Sequence, residues 1–306
     1  MVDRLDARFT PIVDGIETQL VGKRHAIVLT LAAFFASGHL LIEDIPGVGK
    51  TTLAKTFAHV MGLPFGRIQF TSDLLPSDIL GVSYYDMKEG EFRLKKGPIF
   101  TSFLLADEIN RAMPKTQSAL LEAMEEHQMT LDGQAYPLPK PFFVIATQNP
   151  SEESGTFPLP SSQLDRFILS FPIGYPDPEA ERRVLAGEMG TKLPQTPLVD
   201  KAWIESVFDE VENVKLSPAM LDYLQAVVAR SREPSLFIQG LSTRGALALS
   251  RSIKAWAVLH GRDYGVPEDL QAVVVEVCRH RLRFVRGDTT VERLKDALLS
   301  HLPIRA

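Results

Sequence analysis

The sequence predicts an α/β domain with a parallel five-stranded sheet, followed by a smaller domain made only of helices. Up to Phe171, short apolar runs alternate with stretches of helical periodicity, an alternation typical of a parallel sheet covered by helices on both faces. After the turn-rich segment Ile173–Pro178, strand signals stop and helical periodicity dominates. We therefore expect one domain over residues 1–175 and a helical domain over residues 176–306.

Apolar runs mark the strands of the expected sheet. They are His39–Glu43, Arg67–Phe70, Phe103–Asp107, Phe142–Thr147 and Phe167–Phe171. The run from Phe103 to Ala106 is apolar at every position, as expected for a strand buried on both faces. Helical periodicity predicts the intervening helices Arg24–Ala36, Thr51–Met61 and Lys115–Glu126. In the second domain it predicts Glu179–Met189, Pro218–Arg232, Thr243–His260, Glu268–Arg281 and Val291–Leu302.

Two segments interrupt the alternation and are predicted to form hairpins. Val82–Leu94 has a central Lys-Glu-Gly turn and lies before the Phe103 strand. Gln128–Pro139 contains the turn signature Asp132-Gly133 and lies before the Phe142 strand.

Composition excludes several classes of protein. Hydrophobic residues make up 45% of the 306 residues and charged residues 23%, which is ordinary for a soluble globular protein. The net charge of −5 argues against a general nucleic-acid-binding surface. The one cysteine, Cys278, lies in an apolar helical stretch, so we expect an inert buried thiol and a reducing compartment. The acidic amino terminus and the lack of a long apolar run predict a cytoplasmic protein with no direct membrane insertion.

A phosphate-binding loop follows the first predicted strand. It consists of Pro46, Gly47, Val48, Gly49, Lys50, Thr51 and Thr52. The two glycines let the backbone turn its N–H groups toward phosphates, Lys50 can reach the outer phosphates, and the hydroxyl of Thr51 can bind Mg²⁺. The dipole of the following helix attracts the same anion. The usual pattern opens with glycine six positions before the lysine, where this chain has Asp44.

Acidic and amide side chains end two further strands. Asp107 and Glu108 follow Phe103–Ala106, at the sheet edge where open α/β folds bind ligands. Asp107 can hold Mg²⁺ through water, and Glu108 can orient and deprotonate an attacking water. Asn149 follows the Phe142 strand and can hydrogen-bond that water or the terminal phosphate. Alternatively, the acids are a helix-terminal charge pair and Asn149 caps the turn before Pro150.

Arg166 stands just before the last predicted strand, after a short helix. From there an arginine can reach across a subunit interface and stabilise the transition state at a neighbour's terminal phosphate. The alternative is a surface ion pair with Asp165.

These segments together resemble the MoxR family of AAA+ ATPases. The resemblance rests on Asp44–Thr52, Leu104–Ala112, Ala146–Pro150, Leu164–Phe167 and Arg67–Asp78, and it spans nearly the whole chain. In that family Asp commonly stands at the first position of the phosphate loop, so Asp44 supports the match. The resemblance implies an AAA+ P-loop NTPase fold with a C-terminal all-helical lid domain.

The resemblance also implies site residues. Lys50 and Thr51 would be the lysine and Mg²⁺ ligand of the loop, Asp107 and Glu108 the second acidic motif, Asn149 the sensor of the terminal phosphate and Arg166 the arginine finger. Arg244 matches a lid arginine that senses nucleotide in cis. Val21 and Gly22 resemble the segment lining the adenine pocket, and Arg111 a second interface arginine. Ser161-Ser162 departs from the Glu-Ala of many relatives, which leaves the interface contact there undefined.

For function, the resemblance implies ATP and Mg²⁺ as cofactors and a ring, as in hexameric AAA+ proteins. The two hairpins would be the helix-2 insert and the pre-sensor-1 hairpin. Tyr84, Tyr85 and Phe92 then either contact a client protein or pack the hairpin onto the core. The family commonly works with von Willebrand factor A domain proteins and acts as a chaperone that matures or activates protein complexes. A magnesium chelatase ATPase subunit and a nucleic-acid-remodelling ATPase remain the alternatives.

Overall fold

A computed structural model describes residues 4–150, 155–187 and 193–300 of the chain. Its strands are β1 (Leu40–Glu43), β2 (Phe65–Gln69), β3 (Gly81–Asp86), β4 (Glu91–Lys96), β5 (Phe103–Asp107), β6 (Gln128–Leu131), β7 (Gln134–Pro137), β8 (Phe143–Gln148), β9 (Leu169–Phe171), β10 (Phe237–Gln239) and β11 (Arg283–Phe284). Its helices are α1 (Thr10–Glu17), α2 (Arg24–Phe35), α3 (Lys50–Val60), α4 (Pro76–Leu80), α5 (Pro114–Glu126), α6 (Ser161–Leu164), α7 (Pro178–Leu185), α8 (Lys201–Asn213), α9 (Pro218–Ser231), α10 (Thr243–Leu259), α11 (Pro267–Cys278) and α12 (Val291–Leu299).

Five of the strands form one parallel sheet, in the order β2-β5-β8-β1-β9. The predicted five-stranded parallel sheet is thus confirmed, with strand ends that differ by one or two residues from the sequence prediction. The strand before the phosphate loop, β1, pairs with β8 on one side and β9 on the other. Because the strands are parallel, the segments that follow β1, β5 and β8 lie side by side at the carboxyl edge of the sheet.

The two hairpins lie where the sequence indicated them. β3 pairs with β4, with Tyr85 opposite Phe92, and β6 pairs with β7 around the Asp132-Gly133 turn. Both turn residues have positive φ, 50° and 78°, as a tight two-residue hairpin turn requires.

The pleat of the sheet divides its side chains between two apolar layers. In β5, Phe103 and Leu105 face one cluster, whereas Leu104 and Ala106 face the other. The second cluster is covered by α4 and α5. The first is covered by α1, α2 and α3 and continues without interruption into α8 to α11.

The carboxyl-terminal part is helical, as predicted, but it contains one short strand pair that the sequence did not predict. β10 and β11 pair antiparallel, and the rings of Phe237 and Phe284 lie 4.7 Å apart. Strands of three and two residues are too short to show a period in the sequence. Met189 and Leu302, the predicted ends of two helices, fall outside the described residues.

Within the described ranges, no helix is both long enough and apolar enough to cross a membrane. Cys278 is fully buried, and burial raises the pKa of its thiol to about 12, which fits the inert thiol expected from the sequence.

Candidate active site

The phosphate loop connects β1 to α3 and depends on its two glycines. Gly47 and Gly49 have φ values of +86° and +97°, a conformation that other residues adopt with strain. A Cβ added to Gly49 would lie 2.6 Å from a methyl group of Leu20, whereas one on Gly47 would face open space. Gly49 is therefore required for close packing, and the exposed Gly47 leaves room for a ligand beside the backbone.

Lys50 is the first residue of α3 and folds back over the loop. Its Nζ donates to the carbonyl oxygens of Asp44 and Ile45, at 2.6 Å and 3.1 Å. Thr51 and Thr52 follow in the first turn of α3 and are partly exposed. The ammonium group thus lies at the amino end of a helix whose dipole favours anions, as a phosphate site needs.

Asp44 replaces the usual glycine because its side chain ties the loop down. One carboxylate oxygen accepts from the Ile45 N–H at 2.8 Å, and the other accepts from the N–H of Gly174 at 2.6 Å. The side chain is buried. Its bond to Gly174 connects the loop to the segment that leaves β9, a contact that glycine cannot make.

Val21 and Gly22 lie between the phosphate loop and the first turn of α7. Gly22 has a φ of +72°, and a Cβ there would meet that of Ala180 at 2.7 Å. Asp177 caps α7 by accepting from the Ala180 N–H at 2.8 Å. The neighbouring Lys23 donates to the Tyr175 carbonyl, and burial lowers the pKa of its ammonium group, opposed by Asp44 and Asp177. This location beside the loop suits a pocket for a nucleotide base.

Asp107 is held at the end of β5 by both neighbouring strands. Arg67 Nη2, from β2, donates to Asp107 Oδ2 at 2.7 Å. Thr147 Oγ1, from β8, donates to Asp107 Oδ1 at 2.7 Å. The carboxylate is therefore fixed in one orientation before any metal binds.

Glu108 leaves the strand in the left-handed region, with φ of 58° and ψ of 49°. Its N–H donates to Thr147 Oγ1 at 2.9 Å. Its carboxylate accepts from Gln69 Nε2 at 2.9 Å and pairs with Arg111 Nε at 2.9 Å. Strained backbone at a carboxylate held by several donors is characteristic of functional sites.

Sequence reasoning missed Arg67, Gln69 and Thr147 as partners of the acids. The register pairs Gln69 with Asp107, so polar residues at the end of β2 meet the acids at the end of β5. The signal for Arg67 and Gln69 was their place at the start of the Arg67–Asp78 segment, which supported the family resemblance but was given no role in the site. Arg111, for which the sequence suggested an interface role, pairs with Glu108 within the chain.

Asn149 is buried directly after β8. Since β8 lies between β1 and β5, Asn149 comes between the phosphate loop and the two acids. The structure therefore brings the loop, Asp107, Glu108 and Asn149 to the same edge of the sheet.

Arg166 and Arg244 lie at the opposite, amino edge. Arg166 precedes β9, and its Nη2 pairs with Glu125 Oε2 at 3.0 Å, while Arg244 pairs with the other oxygen of the same carboxylate. Both line a cleft of about 340 Å³ together with Gly38, which precedes β1. The four residues of β1, at about 3.3 Å each, separate this cleft from the loop by roughly 13 Å.

Arg244, for which the sequence suggested a role in sensing the nucleotide of its own subunit, lies at the edge of the sheet opposite the phosphate loop. The lid places the amino end of α10, which carries Arg244, against the end of α5 and not against the phosphate loop. Ser161 and Ser162 are exposed in the first turn of α6, next to this edge.

Comparisons with known proteins place the chain in a family. Residues 39–169 match the family described as "ATPase family associated with various cellular activities (AAA)", and residues 231–298 match the AAA lid domain. The chain is 46% identical to the uncharacterized protein YeaC of Bacillus subtilis over 272 residues, 88% of this chain and 85% of that protein. It is 40% identical to the chaperone MoxR1 of Mycobacterium tuberculosis over 273 residues, 86% of this chain and 72% of that protein.

The chain belongs to the MoxR family of AAA+ ATPases. The fold of this MoxR protein also resembles the crystal structure of a candidate ATPase from Cytophaga hutchinsonii. The TM-score is 0.88 at 36% identity, over 98% of this chain and 95% of the other. The AAA+ fold with a helical lid is thus confirmed.

Proposed function

We propose that this MoxR protein hydrolyses ATP, with Mg²⁺, at sites shared between the subunits of a ring, and uses the energy to remodel partner proteins. One observation carries the proposal. The phosphate loop and the acids lie at the carboxyl edge of the sheet, whereas Arg166 and Arg244 lie at the amino edge.

The carboxyl edge supplies the groups that phosphoryl transfer needs. Lys50 and the backbone N–H groups of Gly47 to Thr52 would bind the phosphates, and Thr51 and Asp107 would hold Mg²⁺, which neutralises charge on the phosphates when bound. Glu108 would orient and deprotonate the attacking water, with Asn149 as a second polar contact to that water or to the terminal phosphate. Such a site acts mainly by positioning and charge neutralisation, and the bonds from Arg67, Gln69 and Thr147 provide the positioning.

The amino edge supplies the two arginines, Arg166 and Arg244, that the site at the carboxyl edge lacks. Both arginines lie at one end of β1 and the loop of their own subunit at the other, roughly 13 Å of strand apart, which favours a role for the arginines at the site of another subunit. A contact between the amino edge of one copy and the carboxyl edge of the next is head-to-tail, and such contacts form a ring when the rotation between copies closes. We therefore assign both Arg166 and Arg244 to the nucleotide of the neighbour, in a ring that we take to be a hexamer.

The division into a nucleotide-binding domain over residues 1–175 and a lid over residues 176–306 is part of the same proposal. The relative from Mycobacterium tuberculosis is named a chaperone, which supports a client protein as the partner. Exposed aromatic residues on the β3–β4 hairpin, Tyr84, Tyr85 and Phe92, offer a contact surface for that client. We take the partner to be a von Willebrand factor A domain protein and the location to be the cytoplasm.

Substitution of Glu108 tests the reaction. Glu108→Gln keeps the size of the side chain but removes the base, so we expect ATP binding to be retained and turnover to fall by roughly 10²-fold or more. ATP binding measured by calorimetry and phosphate release measured in the same buffer check this. Lys50→Ala is the comparison, since it should lose binding as well. Unchanged turnover in Glu108→Gln would contradict the role of Glu108.

Mixing two inactive variants tests the shared site. A Lys50→Ala subunit lacks a working loop but still donates its arginines, whereas an Arg166→Ala subunit has the loop and lacks the finger. Arginine fingers contribute on the order of 10³-fold or more to turnover, so each variant alone should be inactive. Mixed before assembly, they should regain part of the activity. No recovery would contradict catalysis across the interface.

A further inference from the structure

Both arginines at the amino edge pair with a single carboxylate, that of Glu125 at the end of α5. Its Oε2 lies 3.0 Å from Nη2 of Arg166, and its Oε1 pairs with Nη2 of Arg244. The side chain of Arg166 is 26% exposed, that of Arg244 47% and that of Glu125 32%. They come from the loop before β9, from the lid helix α10 and from α5, so this ion pair joins three separate parts of the chain.

Electrostatics explains why the carboxylate is needed. Two guanidinium groups held side by side repel each other, and one shared carboxylate lowers their summed charge from two to one. Among the described residues, no other group that lines the cleft supplies a negative charge to replace that of Glu125. Asp165 is committed to Arg281, Arg251 adds a further positive charge, and burial lowers the pKa of His39 to about 4, which leaves His39 neutral at pH 7. His127 completes the titratable groups of the lining, and burial also lowers its pKa.

A partly buried polar junction holds together the backbone segments that carry both arginines. Asp165, adjacent to Arg166, accepts from Arg281 Nε at 2.7 Å and from Ser242 Oγ at 2.6 Å. Ser242 also caps α10, because its Oγ accepts from the N–H of Gly245 at 2.9 Å. The backbones that carry the two arginines are thus tied together, and the remaining freedom lies in the two long side chains.

Each guanidinium keeps donors for a second anion. An arginine has five N–H groups in a planar fork, and the bond to Glu125 uses one nitrogen of each. Arginine pairs with free donors are suited to phosphate oxygens.

We propose that Glu125 is a positioning residue that joins Arg166 and Arg244 into one unit, which the subunit presents to the phosphates of its neighbour's nucleotide. The inference rests on the proposed function. It predicts that Glu125 acts through the two arginines and therefore affects hydrolysis at the neighbour's site. Its position in the sequence, at the end of the helix that follows Asp107 and Glu108, would by itself suggest a role at the site of its own subunit. The opposite role, a carboxylate that blocks the arginines, predicts the opposite change in turnover.

The first test is Glu125→Gln, which removes the charge at constant size. We expect kcat for ATP to fall at least tenfold with KM changed less than threefold, because the phosphate loop is untouched. Glu122→Gln, an exposed carboxylate on the same helix, is the matched control. Equal unfolding midpoints for the two variants establish that Glu125→Gln folds. Unchanged or increased kcat in Glu125→Gln would overturn the proposal.

The second test assigns Glu125 to a side of the interface. Mixed with Lys50→Ala, which still donates an intact arginine unit, Glu125→Gln should regain activity. Mixed with Arg166→Ala it should regain none, since both variants then fail on the same side. The reverse pattern would overturn the role of Glu125. If the mixture of Arg166→Ala and Lys50→Ala still regains activity in that case, the proposed function is unaffected. If the unmodified protein hydrolyses no ATP, the proposed function itself fails, and the inference with it.

Discussion

At the scale of single residues, Asp44 shows how a departure from a common motif becomes a structural contact. Its two carboxylate oxygens accept from the N–H groups of Ile45 and Gly174, so the loop is tied to the exit of β9. The glycine of the usual pattern would remove both bonds. A residue that departs from the general phosphate-loop pattern thus stabilises the loop.

We expect Asp44→Ala and Asp44→Gly to reduce the free energy of unfolding by about 1–3 kcal/mol, because two partly buried N–H donors lose their charged partner. A looser loop should also weaken ATP binding severalfold, even though Asp44→Gly restores the common motif. Denaturant unfolding and nucleotide titration measure the two effects. Asp222→Ala, at an exposed position of α9, is the control. Tighter ATP binding in Asp44→Gly would contradict this account.

The sequence locates the residues of the carboxyl edge but not their partners. The end of a strand, such as that at Asp107, can be recognised in the local sequence because an apolar run stops there at a charged residue. That Arg67 meets Asp107 depends on β2 lying beside β5, and the order of strands is not encoded near either residue. Arg244 shows the same limit, since its distance from the loop depends on how the lid packs.

At the scale of elements, the buried strands and most of the long helices were predictable, whereas the 13-residue helix α8 and the strands β10 and β11 were not. A strand of two or three residues is stabilised by its tertiary contacts, here the rings of Phe237 and Phe284 in contact, and not by its own pattern. The hairpins were predictable because turn residues with positive φ mark them, such as Asp132 and Gly133.

The β3–β4 hairpin gives an element-scale prediction. Tyr85 and Phe92 contact each other, with ring centroids 5.3 Å apart, and are 52% and 75% exposed. Replacing both with Ser should change the free energy of unfolding by about 1 kcal/mol or less, because little buried surface is lost. Phe103→Ala, at a fully buried position, should cost about 3–5 kcal/mol.

The same pair of substitutions tests the hairpin as a client surface. Introduced into Glu108→Gln, they should abolish the capture of partner protein in the presence of ATP, measured by affinity purification and mass spectrometry. Glu108→Gln without them provides the reference. Equal recovery of the same partner from both proteins would contradict a role for the hairpin in client binding.

At the scale of the whole molecule, the sequence suggested two domains joined by a turn-rich segment, and the structure shows how much they share. The rings of Phe34 and Phe208 lie 5.2 Å apart, and those of Phe35 and Trp203 lie 6.0 Å apart, so α8 packs directly on α2. His280 Nε2 lies 3.0 Å from the carbonyl oxygen of Phe167 at the amino edge of the sheet. Such contacts depend on three-dimensional packing, which local periodicity does not reveal.

One continuous core predicts one cooperative unfolding transition for the nucleotide-free protein, because separating α8 to α11 from α2 would expose the apolar surface that both sides bury. Thermal unfolding by calorimetry should give equal calorimetric and van't Hoff enthalpies. The slowest amides of β8 and of α10 should exchange hydrogen with the same free energy of opening. Trp203→Ala, where α8 packs on α2, should lower the hydrogen-exchange protection of β8 and of α10 together. Tyr264→Ala, at an exposed position, should change neither. Exchange of α10 well ahead of β8 would contradict a shared core and would show instead that the lid opens as an independent unit.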